Sequence, residues 1–160
     1  MAPSKEDPVV KVLNEVLTAE LTAINQYFLH AEMCRNWGYM RLYKLGKKHS
    51  IDEMKHAEDV MERILFLEGM PNVQKLGKIN VGETVPEQFK SDLALEMEAV
   101  KRFNEGIAEC LEVNDNATRE LLEHMVQSEE EHIDWIEAQL TLIETIGLQN
   151  YLAQQVRKDS

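Results

Sequence analysis

The sequence predicts an all-α fold, a four-helix bundle with one long crossover and a short fifth helix. Two observations carry this. Apolar residues recur three and four apart through four long segments, the period that gives a helix one buried face. Of the 160 residues only 7 are glycine and 4 proline, and aromatics make up 6%, so Leu, Ile, Met and Ala supply much of the apolar content. A chain of this length reads as one domain, 1–160, able to bury roughly 68–70% of its unfolded surface.

Asp7-Pro8 reads as an N-cap followed by proline at the first helical position, opening a helix over 8–36 that stops before Gly38. Its inward stripe is Leu13, Leu17, Glu20, Ile24, Tyr27, Ala31 and Cys34. A second helix spans 39–68, with Leu42, Leu45, His49, Glu53, His56, Val60, Ile64 and Leu67 in register, and Gly69-Met70-Pro71 stops it. So short a turn makes the two helices antiparallel neighbours. Residues 70–84 show no helical period. Fifteen extended residues reach roughly 50 Å at about 3.3 Å each, enough to cross a bundle whose helices are roughly 45 Å long. Thr84-Val85-Pro86-Glu87 has capping-box spacing and opens a third helix over 85–113, with Phe89, Leu93, Glu96, Val100, Phe103, Ile107 and Cys110 inward. Asn114-Asp115-Asn116 forms a turn, a fourth helix spans 117–146, and a short fifth covers 148–156.

A net charge of −12 argues against binding a phosphate backbone, so nucleic acid is not an expected partner and cations are. The N-terminal residues contain no apolar signal core, and no stretch approaches eighteen apolar residues, so no membrane association is expected and a soluble cytoplasmic protein is. Cys34 and Cys110 are isolated and read as small buried apolar residues.

The chemistry lies in a doubled spacing. Glu53-Met54-Lys55-His56 follows Glu20 at 33 residues, Glu129-Glu130-Glu131-His132 follows Glu96 at the same distance, and the second set lies 76 residues after the first. A single Glu-x-x-His is a weak signal. Position is the stronger one, because each of the four helices carries its glutamate near mid-length on the stripe that should be buried. Four unpaired buried carboxylates would cost several kcal/mol each, against a domain stability of roughly 5–15 kcal/mol. They must therefore be protonated, paired or bound to metal, and no lysine or arginine shares their level. Two divalent ions balance four glutamates, and His56 and His132 add neutral nitrogen donors. This is the ligand pattern of di-iron and di-manganese carboxylate bundles; oxygen and nitrogen without thiolate suit iron or manganese. The alternative is a protonated or water-filled polar core.

Five segments carry a family resemblance: Leu21-Thr22-Ala23-Ile24-Asn25-Gln26-Tyr27-Phe28-Leu29-His30, Ser50-Ile51-Asp52-Glu53-Met54-Lys55-His56-Ala57, Arg63-Ile64-Leu65-Phe66-Leu67-Glu68-Gly69, His132-Ile133-Asp134-Trp135 and Gly147-Leu148-Gln149-Asn150-Tyr151-Leu152. In order and spacing the chain resembles bacterioferritin from about Pro8 to Val156. The resemblance implies a ferritin-like bundle and a cage of twenty-four subunits, a homo-oligomer built as twelve haem-bridged dimers. Such a cage stores iron and detoxifies it: ferrous iron is oxidised at a di-iron ferroxidase centre in each subunit and kept as ferric mineral. Glu20, Glu53, His56, Glu96, Glu129 and His132 match the six ligands, with Glu53 and Glu129 bridging. Dioxygen or peroxide would accept the electrons. Tyr27 falls beside the centre by resemblance, where residue type alone favours a core aromatic. Met54 points about 100° from Glu53; alone it is an exposed or interface residue, and by resemblance it is the axial ligand of a b-type haem shared between two subunits. Leu21, Ile24, Asn25, Phe28 and Ile51 match haem-pocket positions, and a ferredoxin-type reductase is implied as a partner in haem-assisted iron release.

The run Gly46-Lys47-Lys48-His49 departs from the family, and Lys48 stands where some members have a histidine that joins Asp52 at an inner-surface iron site. That extra site is not expected here. Among other uses of the same ligands, rubrerythrin-like oxidases carry paired CxxC motifs that this chain lacks, and manganese catalases are larger. A metal-free interaction bundle leaves the buried carboxylates unexplained.

Overall fold

The computed structural model describes residues 7–157, so most of the N-terminal segment and the outer limits of the expected 1–160 domain lie outside it. Helix α1 is Pro8–Trp37, α2 Met40–Phe66, α3 Val85–Glu112, α4 Asn116–Ile146 and α5 Leu148–Ala153, followed by one 3-10 turn at Gln154–Val156. The fold is all-α. The α1 and α2 helices form one hairpin, α3 and α4 the other, and α1 packs on α3. The expected fifth helix is thus divided at Ala153.

Local signals account for most ends. Asp7 accepts hydrogen bonds from the amides of Val9 and Val10 at 2.9 and 3.3 Å, and Gly38 closes α1 with φ of 89°. Thr84 caps α3 through the Glu87 amide, while the Glu87 carboxylate reaches back to the amide of Glu83. Asp115 caps α4, accepting from Thr118, and Arg63 from α2 grips both residues, at 3.1 Å to Asp115 and 2.8 Å to Thr118.

The end of α2 differs from expectation. The helix stops at Phe66, and the left-handed residue after it is Glu68 (φ 64°), with Gly69 one place further on. Gly69 is needed for space: a Cβ there would lie 2.7 Å from Val10 Cγ1.

The crossover is pinned by a polar row on α1 that the sequence did not reveal as such. Asn14, Thr22, Gln26 and His30 lie at multiples of four residues and share one helix face. Asn14 bonds Met70 O and the Asn72 amide, and Thr22, Gln26 and His30 accept from the amides of Gly77, Asn80 and Gly82 at 2.8, 3.1 and 2.9 Å. Asp92 of α3 accepts from Gln26 at 2.8 Å and lies 2.9 Å from His30 Nδ1. The chain's backbone donors are thereby satisfied over much of a loop that has no secondary structure.

Two apolar clusters fill the bundle. The larger includes Leu13, Leu17, Val60, Ile64, Phe103, Leu122 and Met125, and the smaller Cys34, Leu42, Phe89, Ile136 and Tyr151. On every long helix the glutamate of the doubled motif falls between them. Cys34 and Cys110 are buried and free, and burial pushes their thiols up to about 12 and about 11.

Candidate metal centre

The carboxylates of the polar layer between the clusters are buried, with Glu20, Glu53, Glu96 and Glu129 exposed by only 1%, 4%, 1% and 1%. Each lies on the buried face of its helix, and the four carboxylates and two imidazoles come together inside the bundle. They form two overlapping groups, Glu20, Glu53, His56 and Glu129, and Glu53, Glu96, Glu129 and His132, and within each group one ligand atom per residue lies within 4.8 Å of the others. Glu53 and Glu129 belong to both. His56 Nδ1 is 3.4 Å from Glu20, 3.5 Å from Glu53 and 3.2 Å from Glu129, and His132 Nδ1 is 3.4 Å from Glu96. The Tyr27 hydroxyl donates to Glu96 Oε1.

The donors are unsatisfied in a way that fits cations. Glu20 Oε2, Glu53 Oε2, His56 Nδ1, Glu96 Oε2 and both Glu129 oxygens are buried without a hydrogen-bond partner. Such orphans are rare in folded proteins. Among the described residues no lysine or arginine pairs with any of the four carboxylates.

Electrostatics follow from burial. Desolvation raises Glu20 well above the usual carboxylate range, with repulsion from Glu53 adding to it; desolvation likewise raises Glu96, and brings Glu129 to about 8. Burial also opposes charge on Glu53, yet the close approach of Glu20, His56 and Glu129 outweighs it and holds Glu53 near 2. His56 rises to about 12, because the facing carboxylates overcome desolvation, and His132 rises for the same reason through Glu96. His49 falls to about 3, through burial first and then His132 and Lys48.

These directions predict the pH dependence of the metal-free protein. Raised groups bind protons in the folded chain that the unfolded chain has released. Their contribution is full below the unfolded values, 4.5 for Glu129 and 6.5 for His56, and fades toward about 8 and about 12. The depressed Glu53 is constant above 4.5, and the depressed His49 costs stability only below 6.5. From pH 6.5 to 8 the net slope is therefore downward, roughly 2 kcal/mol or about 4–8 °C in Tm. A divalent ion takes only deprotonated ligands, so loading reverses the slope. Thermal unfolding at both pH values, with and without Zn²⁺, checks it; a metal-free Tm that rises over this window would contradict it.

Outside the six residues, Met54 is 46% exposed, and Phe28 and Ile51 on the same hairpin are exposed too. Lys48 pairs with Asp52 at 3.2 Å. Two residues near the centre were given no role from sequence. His49 packs against His132 with ring centroids 3.8 Å apart and planes tilted by 46°, and Trp135 lies 5.1 Å from His49. The available signal was spacing: His49 is one turn before Glu53 and Trp135 one turn after His132.

Comparison with known proteins places this geometry. A family model described as a ferritin-like domain matches residues 10–146. Bacterioferritin of Mycobacterium leprae is 50% identical over 153 residues, covering 95% of this chain and 96% of the relative. The chain belongs to the bacterioferritins. Within that family, the bacterioferritin of Streptomyces coelicolor is 44% identical across 95% of this chain and 92% of its own length, and that of Rhodobacter capsulatus 40% identical across 89% of each. Family membership agrees with the helix order and bears out the resemblance read from the five segments. Among the described residues no helix is long and apolar enough to cross a membrane.

Proposed function

We propose that this bacterioferritin stores and detoxifies iron as a single ferritin-like domain, oxidising ferrous ions at a di-iron centre formed by Glu20, Glu53, His56, Glu96, Glu129 and His132. The observation that carries the reading is the pair of four-residue groups sharing Glu53 and Glu129, with buried oxygens that have no other partner. Glu20 and His56 would hold one ion and Glu96 and His132 the other, with Glu53 and Glu129 available to both. Four carboxylates neutralise two divalent ions in a site from which the flanking apolar clusters exclude water. When bound, two ferrous ions supply one electron each to dioxygen or peroxide. The chain's part is to set charge and spacing, and the Tyr27 hydroxyl fixes the Glu96 carboxylate.

The mineral is stored in a cytoplasmic multi-subunit cage, a homo-oligomer of twenty-four chains arranged as twelve dimers. Exposed Met54, with Phe28 and Ile51, supports a thioether-ligated b-type haem shared by two copies, since an outward apolar patch holding a thioether suits a flat apolar cofactor. A ferredoxin-type reductase delivers electrons to that haem for iron release. The Lys48 ammonium, 3.2 Å from Asp52 Oδ2, repels a cation from Asp52 and disfavours an inner-surface iron site there; iron found on Asp52 in a soaked crystal would overturn this point.

The test is anaerobic loading with ferrous iron in small steps followed by air. Fast oxidation that saturates near two irons per chain, then slow mineral growth, is expected from the two ligand groups. No fast phase would leave a polar core or another metal. Met54→Leu is expected to abolish the bis-thioether spectrum of haem-reconstituted protein, and its persistence would place the haem elsewhere.

A further inference from the structure

We infer that the two metal positions are inequivalent and that His49, a positioning residue acting through His132, makes the Glu96–His132 position fill first. The inference rests on the metal-centre reading above. The 76-residue repeat allows the half-sites to be compared residue by residue, Glu20 and His56 corresponding to Glu96 and His132. Their ligands repeat, but their surroundings do not.

Tyr27, whose hydroxyl donates to Glu96, corresponds to Phe103, which has no hydroxyl for Glu20. His49, whose ring centroid lies 3.8 Å from that of His132, corresponds to Met125, a member of the larger apolar cluster. The His132 ring is thus enclosed by Tyr27, edge-on at 5.3 Å and 84°, by His49, and by Trp135 at 6.2 Å. Among the described residues no aromatic ring packs on His56 in this way. A ligand whose ring and carboxylate partner are already held loses less freedom when an ion arrives, and groups that orient metal ligands characteristically change affinity by about 10–100-fold.

Access points the same way. A cleft of about 190 Å³ between α2 and α4 is lined by Lys48, His49, Asp52, Glu53, Glu131 and His132. An ion coming down this cleft reaches Glu53 and His132 first. Three carboxylates, Asp52, Glu53 and Glu131, outnumber the single Lys48 ammonium around this space and favour a cation there.

The experiment uses metal-free crystals of the full chain given one equivalent of Co²⁺, a redox-stable probe, with anomalous diffraction at the cobalt edge. A tenfold affinity difference between independent positions gives about threefold higher occupancy between Glu96 and His132 than between Glu20 and His56. His49→Met, which places in α2 the residue type the repeat has in α4, should bring the ratio close to unity. Equal occupancy in the unmodified protein, a stronger peak at Glu20 and His56, or an unchanged ratio in His49→Met would overturn the inference. Cobalt at neither position would instead overturn the metal-centre reading. The unmodified protein decides the filling order even if the variant does not fold.

Discussion

Glu129→Ala is expected to abolish the fast phase of ferrous oxidation, slowing it by at least about a hundredfold, and to leave neither ion tightly held. Groups that merely orient a ligand change affinity by about 10–100-fold, so loss of a carboxylate shared by both positions exceeds that range. Glu129 belongs to both ligand groups, whereas Glu20 belongs to one. Glu20→Ala should therefore keep one ion of the two. Equilibrium Co²⁺ binding separates the cases, since the stoichiometry falls to about none in the first variant and about one in the second. Neither change should unfold the metal-free chain, because each removes a buried carboxylate that lacks a full set of partners. Equal stoichiometry in the two variants would contradict the sharing of Glu129.

The second large effect is structural. Gly82→Ala would place a Cβ 2.2 Å from the backbone nitrogen of Gln88 and 2.5 Å from its Cα, atoms of the first turn of α3 that cannot rotate away. The loop must move, and the Gly82 amide then loses His30 Nε2, while Gly82 O loses the side-chain Nε2 of Gln88. Crowding and broken buried hydrogen bonds together cost about 3 kcal/mol, or roughly 6–12 °C in Tm for a chain of this size. Faster hydrogen exchange at Asn80, whose amide bonds Gln26 in the same row, should accompany it. A Tm within a degree of the unmodified protein would show that the crossover tolerates displacement here. Gly82 is buried, and nothing in the local sequence distinguishes it from a turn glycine, because the atoms it must clear become neighbours only when α3 folds back.

Helix number, order and most caps were legible because they are local. Asp7-Pro8, Gly38 and the Thr84/Glu87 box act on amides within four residues, and the inward stripes follow from the helical period. The end of α2 was less legible. Glu68 takes the left-handed conformation and Gly69 follows it, since the glycine's place is dictated by Val10 on another helix.

The candidate centre was legible for a different reason. Its residues repeat at 33 and 76, so helices of equal length set side by side bring the same level of each to the axis. The sequence by itself thus determined the bundle class, the level of the polar layer and the six residues that compose it. Only the tertiary structure decided which oxygens converge into two groups sharing Glu53 and Glu129, that Asn14, Thr22, Gln26 and His30 carry the crossover, and that His49 lies on His132. Periodicity specifies the face of a helix to within a turn. The rotation and separation of neighbouring helices, set by side-chain packing across the whole bundle, specify contacts to an ångström.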